Sequence, residues 1–548
     1  MEIPTPQALD GIRVLDLTRG STGGMATMIL ADFGAEVLCI KRPGSDPLSE
    51  VPAARMWQRG KRYLALDLEN ENGLARLHEL CAAADVLVCN WRSGALKRRN
   101  LDFNSLHQLH RHLVFCHISG FGSHGPRADY PGYEHIVAAC TGRMQLFSGL
   151  VDRVGPVFSA LQVGVHACAQ SAAAGILAAL FERGNDGEGR LVETSMLQGL
   201  LPYEQGAMLG AQLREIFPDL FADIPPPSNE PPPPSLYYHP AQASDGRWMQ
   251  FGNLLPHLFD NFLRVTDLLY ILADPDWDQA QMLLPEEKHE AFRERMLLRI
   301  QERTTVDWMA DIVADGGVVA TAHQTTQDAL SDPDIVANGH VIERPNGGLQ
   351  LGPVARMTRT PAIPGTDMIA DDGLQAIWQS TPRATPLRCR SNGLPLSGVR
   401  IVELATIIAA PLGASFLADM GAEIIKVEQI GGDPYRSLGA GIGSARVNAG
   451  KRSISVDLKS EAGREIVLGL ISNADVLITT SDPEFRNDWA LDMSRLKYSI
   501  PESFICSPTV MVPMAPEPCA PARTPYRVLQ WVGSFIRWVN GFRRNFRT

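Results

Sequence analysis

Short aliphatic runs alternate with longer stretches of helical spacing along the N-terminal part of the chain. IRVLDLT, residues 12–18, is a compact β-branched run, and STGGMATMILADF after it repeats apolar positions every three or four residues. Gly34 follows as a C-cap, because glycine enters the left-handed region without a Cβ clash. AEVLCIK (35–41) is the next strand. The segment 71–84, ENGLARLHELCAAA, puts Leu74, Leu77, Cys81 and Ala84 on one helix face. DVLVC at Asp85 and LVFCHIS at Leu113 are unbroken apolar runs, as expected for strands buried on both faces. The alternation predicts an α/β fold whose parallel sheet carries helices on both sides.

The pattern breaks at residues 225–235, where PPPSNEPPPP reads as a stiff extended loop, and residues 1–224 form the first part of a large domain. An aromatic, mixed stretch and then helical spacing predict a small α+β domain over 236–335. The turn-rich segment 336–395 returns to the large domain and links onward. The opening pattern then recurs. LDGIRVLDLTRG at Leu9 is matched by LSGVRIVELATI at Leu396, and LADFGAEVLCIKRPGSDP by LADMGAEIIKVEQIGGDP. Asp46 maps to Asp433 at a spacing of 387, and Lys61-Arg62 to Lys451-Arg452 at 390. Residues 396–507 therefore read as a partial second copy of the first unit.

Composition narrows the function classes. With 548 residues the chain has room for roughly two to four domains. A net charge of -11 argues against a nucleic-acid surface, which needs an excess of Lys and Arg. The N-terminus lacks a signal-peptide pattern, and no run of about 18 apolar residues predicts a membrane span. Nine cysteines, none in a C-x-x-C pair, suggest buried reduced thiols in a cytoplasmic protein and offer no metal site.

The motifs LADFGAEV, KRPGSDP, ADVLVCNWRSGALKRRNLDF, HISGFGSHGPRADYPGYEHIVAACTG and GILAALFERGNDGEGRLVETSM, in this order, resemble family III of the CoA-transferases, the CaiB–BaiF family. The resemblance covers residues 9–360 and, in part, 396–507, like fused two-copy members. It implies a Rossmann-like large domain, a small domain, and interlinked protomers, so that a homodimer is expected. It also implies that CoA or an acyl-CoA is the substrate and that a small carboxylic acid accepts CoA. In that family an Asp attacks the thioester and an aspartyl-CoA intermediate follows, which is covalent catalysis by a carboxylate.

Here the position of that Asp, about ten residues before the GILAAL segment, is Val165, and valine cannot attack a thioester. His166 is one residue away, which turns its side chain about 100° around a helix. Asp152 lies too far back. The family's racemase chemistry needs a G-H-D segment, which here reads Gly132-Tyr133-Glu134. CoA binding is better furnished, because its phosphates call for cations and backbone N–H groups. The resemblance points to Arg19, Arg42 and Arg92, and in the second copy to Arg436, where the first copy has Ser49. The second copy replaces Arg92 with Asp482.

After Ser507 the resemblance stops. The tail carries five Arg and no acid after Tyr526, and Trp531, Phe535, Trp538 and Phe542 recur at helical spacing, so one reading is a membrane-surface helix. The other is a frameshift. The codons of MVPMAPEP (511–518), read one nucleotide earlier, allow the first copy's motif at 121–128, FGSHGPRA, at every position but the first. The competing functions are thus a CoA-transferase and a non-catalytic CoA-binding remnant of a frameshifted gene.

Overall fold

The computed structural model describes residues 6–44, 47–146, 156–157, 159–204, 207–221, 236–275, 286–345, 347–371, 373, 378, 393–437, 441–480 and 504–506. These residues fall into two compact units, one drawn from Met1–Ser228 and Gly339–Thr509, the other from Asn229–Asn338.

In the first unit, Arg13–Asp16 (β1), Glu36–Lys41 (β2), Arg62–Ala65 (β3), Val86–Cys89 (β4), Val114–Ser119 (β5) and Leu191–Ser195 (β6) pair in parallel in the order β3-β2-β1-β4-β5-β6. Alternate side chains enter opposite cores, since successive strand residues face opposite sides. Val14, Val37, Val86, Val88, Val114 and Cys116 join one cluster with helices Ser21–Asp32 (α1) and Val163–Asp186, while Leu15, Leu38, Leu87, Cys89 and Phe115 join another with Glu71–Ala83 (α2). Both faces are therefore dry, which is why these strands read as continuous apolar runs. The expected face of α2 holds: Leu77, Cys81 and Ala84 are buried and Leu74 packs at the edge. Gly34 has φ +106 and donates its N–H to Ala31, the stop expected from sequence. The five cysteines 39, 81, 89, 116 and 168 are buried and free, while Cys140 is exposed.

Beyond β4 comes the short helix Ser93–Lys97 (α3), and before β6 the 24-residue helix Val163–Asp186 (α4), followed after β6 by Met196–Leu200 (α5). α4 is long and apolar enough to cross a membrane by length and composition alone, but 72% of that apolar stretch is buried inside the fold. Its small residues account for it: Ala169, Ala172, Ala173 and Ala178 bury against α1, β5 and β6, and Gly175 lets the helix lie on Val192, whose Cγ1 would be 2.6 Å from an added Cβ. It is a core helix of this fold.

The second unit pairs Tyr238–Gln242 (β7), Trp248–Gly252 (β8) and Ala320–Ala322 (β9) antiparallel. Helices Pro256–Val265 (α6), Glu286–Ile300 (α7) and Thr305–Asp315 (α8) pack around Phe251, Phe259, Phe262, Phe292 and Trp308.

Back in the first unit, Val341–Glu343 (β10) and Leu349–Leu351 (β11) form a hairpin, and Ile369–Ala370 (β12) adds to β3 to complete a seven-stranded sheet. Arg400–Leu404 (β13), Glu423–Glu428 (β14), Arg452–Ser455 (β15), Val476–Thr479 (β16) and Phe504–Cys506 (β17) build a second parallel sheet, ordered β15-β14-β13-β16-β17. This repeats the order β3-β2-β1-β4-β5. Helices Ala409–Asp419 (α9) and Glu461–Ile471 (α10) stand where α1 and α2 stand in the first sheet. The proline-rich segment, Asp46, Asp152, Asp482 and residues 507–548 lie outside the described residues.

Candidate active site

β1 is flanked by β2 on one side and β4 on the other, so the chain reverses its direction of travel across the sheet between β1 and β4. At such a switch point the connections leave the carboxyl ends in opposite directions and open a crevice. A cleft is found there, walled by Arg19, Gly20, Lys41, Arg42, Trp57, Asp67, Glu69 and Trp91. Arg19 and Arg42 are exposed. Trp57 reaches the cleft because residue 24 is glycine: a Cβ there would be 2.3 Å from the indole.

The cleft floor is a buried ion pair. Lys61 Nζ lies 3.2 Å from Asp16 Oδ2, and donates to Thr27 Oγ1 at 2.6 Å and to the Gly24 carbonyl at 2.8 Å. Asp16 also accepts from the Thr18 N–H and hydroxyl and from the Thr27 hydroxyl. Burial pushes the Asp16 carboxyl up, but the Lys61 charge and the threonine bonds outweigh it, and the net shift is downward. Cys39 lies 3.6 Å from Asp16, and burial together with that carboxylate raises its thiol far above the ordinary range, so it is no nucleophile.

At the N-terminus of α4, the Gly164 and Val165 N–H groups each donate to a Glu134 oxygen at 2.8 Å. A buried carboxylate thus caps the helix, where it meets the positive end of the dipole. The Val165 side chain is 5% exposed and belongs to the apolar cluster. His166 is half-buried, and burial lowers its pKa against an opposing pull from Glu134. Tyr133 is exposed.

The second sheet's switch point is organised differently. Glu403 stands at the end of β13 as Asp16 does in β1, and Lys426 Nζ lies 3.0 Å from Glu403 and 2.9 Å from Asp433. Lys451 Nζ is 2.6 Å from Glu403, and burial pushes its ammonium down to about 8. Asp433 accepts the Ile407 N–H with both oxygens, at 3.1 and 3.2 Å. Ile407 has φ +68, where the first sheet has Gly20 at +78. The carboxylate of Asp433 therefore fills the place that an anionic ligand takes at the start of such a helix. Among the described residues, no group of three or more His, Cys, Asp or Glu could hold a metal ion.

The family model for CoA-transferase family III matches residues 9–367 and 396–509. The chain belongs to that family. It is 25% identical to the CoA-transferase/lyase DddD of Marinomonas sp. (strain MWYL1) over 91% of its own length and 65% of that protein's, so it spans less than two thirds of that relative. It is 28% identical to succinyl-CoA–D-citramalate CoA-transferase of Chloroflexus aurantiacus, over 62% of this chain and 83% of that one. A CAIB/BAIF family protein from Brucella suis superposes with a TM-score of 0.57 at 23% identity, over 68% of this chain and 98% of that one, which shows the fold.

In this family III chain, the four arginines expected to bind CoA separate. Arg19 and Arg42 line the first cleft. Arg92 is exposed beside Trp91, at the start of α3, and is not part of the lining. Arg436 is in the second sheet, where its Nε and Nη2 grip the two oxygens of Glu428 at 2.7 and 2.6 Å. Its guanidinium thus serves an internal carboxylate. Sequence reasoning missed Lys41, Trp57, Trp91 and the Asp16–Lys61 floor. The recurrence of Lys61 as Lys451 was the available signal for the floor, and the NWRSGAL motif was the signal for Trp91; Trp57, in the short helix Ala54–Gln58, had none.

Proposed function

We propose that the chain binds CoA or an acyl-CoA in the first cleft and does not itself carry out the aspartyl step of CoA transfer. The observation behind this is the pairing of a tryptophan-walled crevice at the β1/β4 switch point, lined by Arg19, Lys41 and Arg42, with an apolar, buried Val165 where the family's nucleophile is expected. Arg19, Lys41 and Arg42 suit phosphates, and Trp57 and Trp91 suit an adenine face. Moving CoA from an acyl-CoA to a carboxylic acid would require a carboxylate at the start of α4, and the one present, Glu134, is committed to two backbone N–H groups. Titration calorimetry with CoA, and hydroxylamine trapping with an acyl-CoA, test the two halves. Measurable CoA binding without any modified carboxylate is the expected result; a hydroxamate on one Asp or Glu overturns the inactivity.

The two sheets of equal strand order are, in this reading, copies of one unit. The segment 511–518 is out of frame: its codon register fits the first copy's 121–128, and the family match ends at residue 509. Resequencing the DNA across codons 506–518 tests this, and an unbroken reading frame there rejects it.

A further inference from the structure

The cleft depends on where Arg19 points: the Asp16 carboxylate ties down Thr18 just before it, and the Arg19 peptide itself is held from the neighbouring strand. The parallel ladder between β1 and β4 runs through Val14–Val86, Leu15–Leu87 and Asp16–Val88, and its last backbone bond joins the Leu17 N–H to the Val88 carbonyl at 2.9 Å. Past that point the strands part, one toward α1 and the other toward α3. α1 opens at Gly20 with φ +78 and no side-chain cap. The Asn90 side chain supplies the missing rung. Its Oδ1 accepts the Arg19 N–H at 3.0 Å, and its Nδ2 donates to the Arg19 carbonyl at 2.7 Å. A carboxamide has the donor and acceptor of a peptide group, so it extends the ladder by one unit just where the backbones diverge.

The second sheet shows the loop without this device. At the 390-residue spacing, Thr480 takes the place of Asn90, and it offers a single contact, from the Thr406 N–H at 3.4 Å. There the following residue is held by Asp433 instead. The loop is thus tied down in both sheets, by a neighbour-strand amide in one and by an internal carboxylate in the other. At this loop position the first sheet carries the cation Arg19, and the second carries Thr406.

We propose that Asn90 is a positioning residue that fixes the Arg19 peptide so that the guanidinium faces the phosphate-bearing part of CoA. This rests on the CoA reading of the cleft. Asn90 acts through Arg19, and that gives a test which a merely structural role fails. CoA affinity is measured by calorimetry on the full chain for wild type, Asn90→Ala, Asn90→Thr, Arg19→Ala and the Asn90→Ala/Arg19→Ala double variant, with a thermal melt of each. Loss of two exposed hydrogen bonds and of one oriented cation predicts a weakening on the order of tenfold for Asn90→Ala. Asn90→Thr falls between wild type and Asn90→Ala. The double variant binds like Arg19→Ala alone, because coupled residues are non-additive. Wild-type affinity in both Asn90 variants, or additive losses in the double variant, overturns the positioning role while leaving the CoA reading intact. A wild-type chain that does not bind CoA overturns both.

Discussion

At the scale of single residues, arginines that the sequence put in one class differ in surroundings: Arg19 and Arg42 are exposed in a cleft, and another is bonded to the fold. Arg436 is the clear case. Its bidentate bond, with Glu428 3% exposed, lowers the Glu428 carboxyl from 4.5 to about 2, helped by Ser453 and the Asp433 N–H against the opposing effect of burial. A depressed carboxylate stabilises the fold above its unfolded pKa, and that contribution is lost as pH falls from 4.5 toward 2. With Arg436 half exposed, about 1–2 kcal/mol survives solvent screening. Arg436→Ala therefore lowers Tm at neutral pH, and the difference from wild type shrinks as pH is brought from 4.5 toward 2. A difference independent of pH would show that the pair does not act through charge. Sequence alone placed Arg436 with the ligand because position in a motif carries no information about a competing carboxylate two turns of chain away.

At the scale of elements, strands and helices were legible where burial is two-sided and periodic, as in β1, α1, β2, α2, β4 and β5. The start of α4 was not legible, since its first turns are small residues without an amphipathic stripe. What fixes its start is Glu134, thirty residues upstream of Gly164 and invisible to local pattern. Glu134→Ala leaves the buried Gly164 and Val165 N–H groups without that acceptor, a loss of about 1–3 kcal/mol. Glu134→Gln keeps one acceptor oxygen and recovers part of it. Chemical denaturation of the two variants measures the difference; equal stability of Glu134→Ala and wild type would remove Glu134 from the list of groups that organise the site.

At the scale of the whole molecule, the motif set recurs at spacings of 387 and 390, and the structure holds two parallel sheets ordered β3-β2-β1-β4-β5 and β15-β14-β13-β16-β17, an order that no motif spelled out. The expected boundaries of the small domain, 236–335, fall within the unit Asn229–Asn338. The sequence did not reveal that side chains of the second sheet, among them Ile401, Leu412, Phe416 and Ile424, belong to the same apolar cluster as Val14, Ile29 and Val114 of the first. Shared burial couples the two sheets in unfolding. Phe416→Ala, about 3–5 kcal/mol at a fully buried aromatic, is expected to reduce amide-exchange protection in β1 and β4 as well as in β13. Loss of protection confined to residues 396–480 would mean that the sheets open independently.

The left-handed turn at Ile407 bears on how such chains are found. Gly20 and Ile407 both have positive φ, +78 and +68, yet one is the residue that favours it and the other a β-branched residue for which it costs about 1–3 kcal/mol. At Ile407 the positive φ is held from outside the loop, because its N–H donates to both oxygens of Asp433. A search that recognises nucleotide crevices by their glycines will pass over this second turn. One that tolerates its shape will report a crevice that its own carboxylate has already closed.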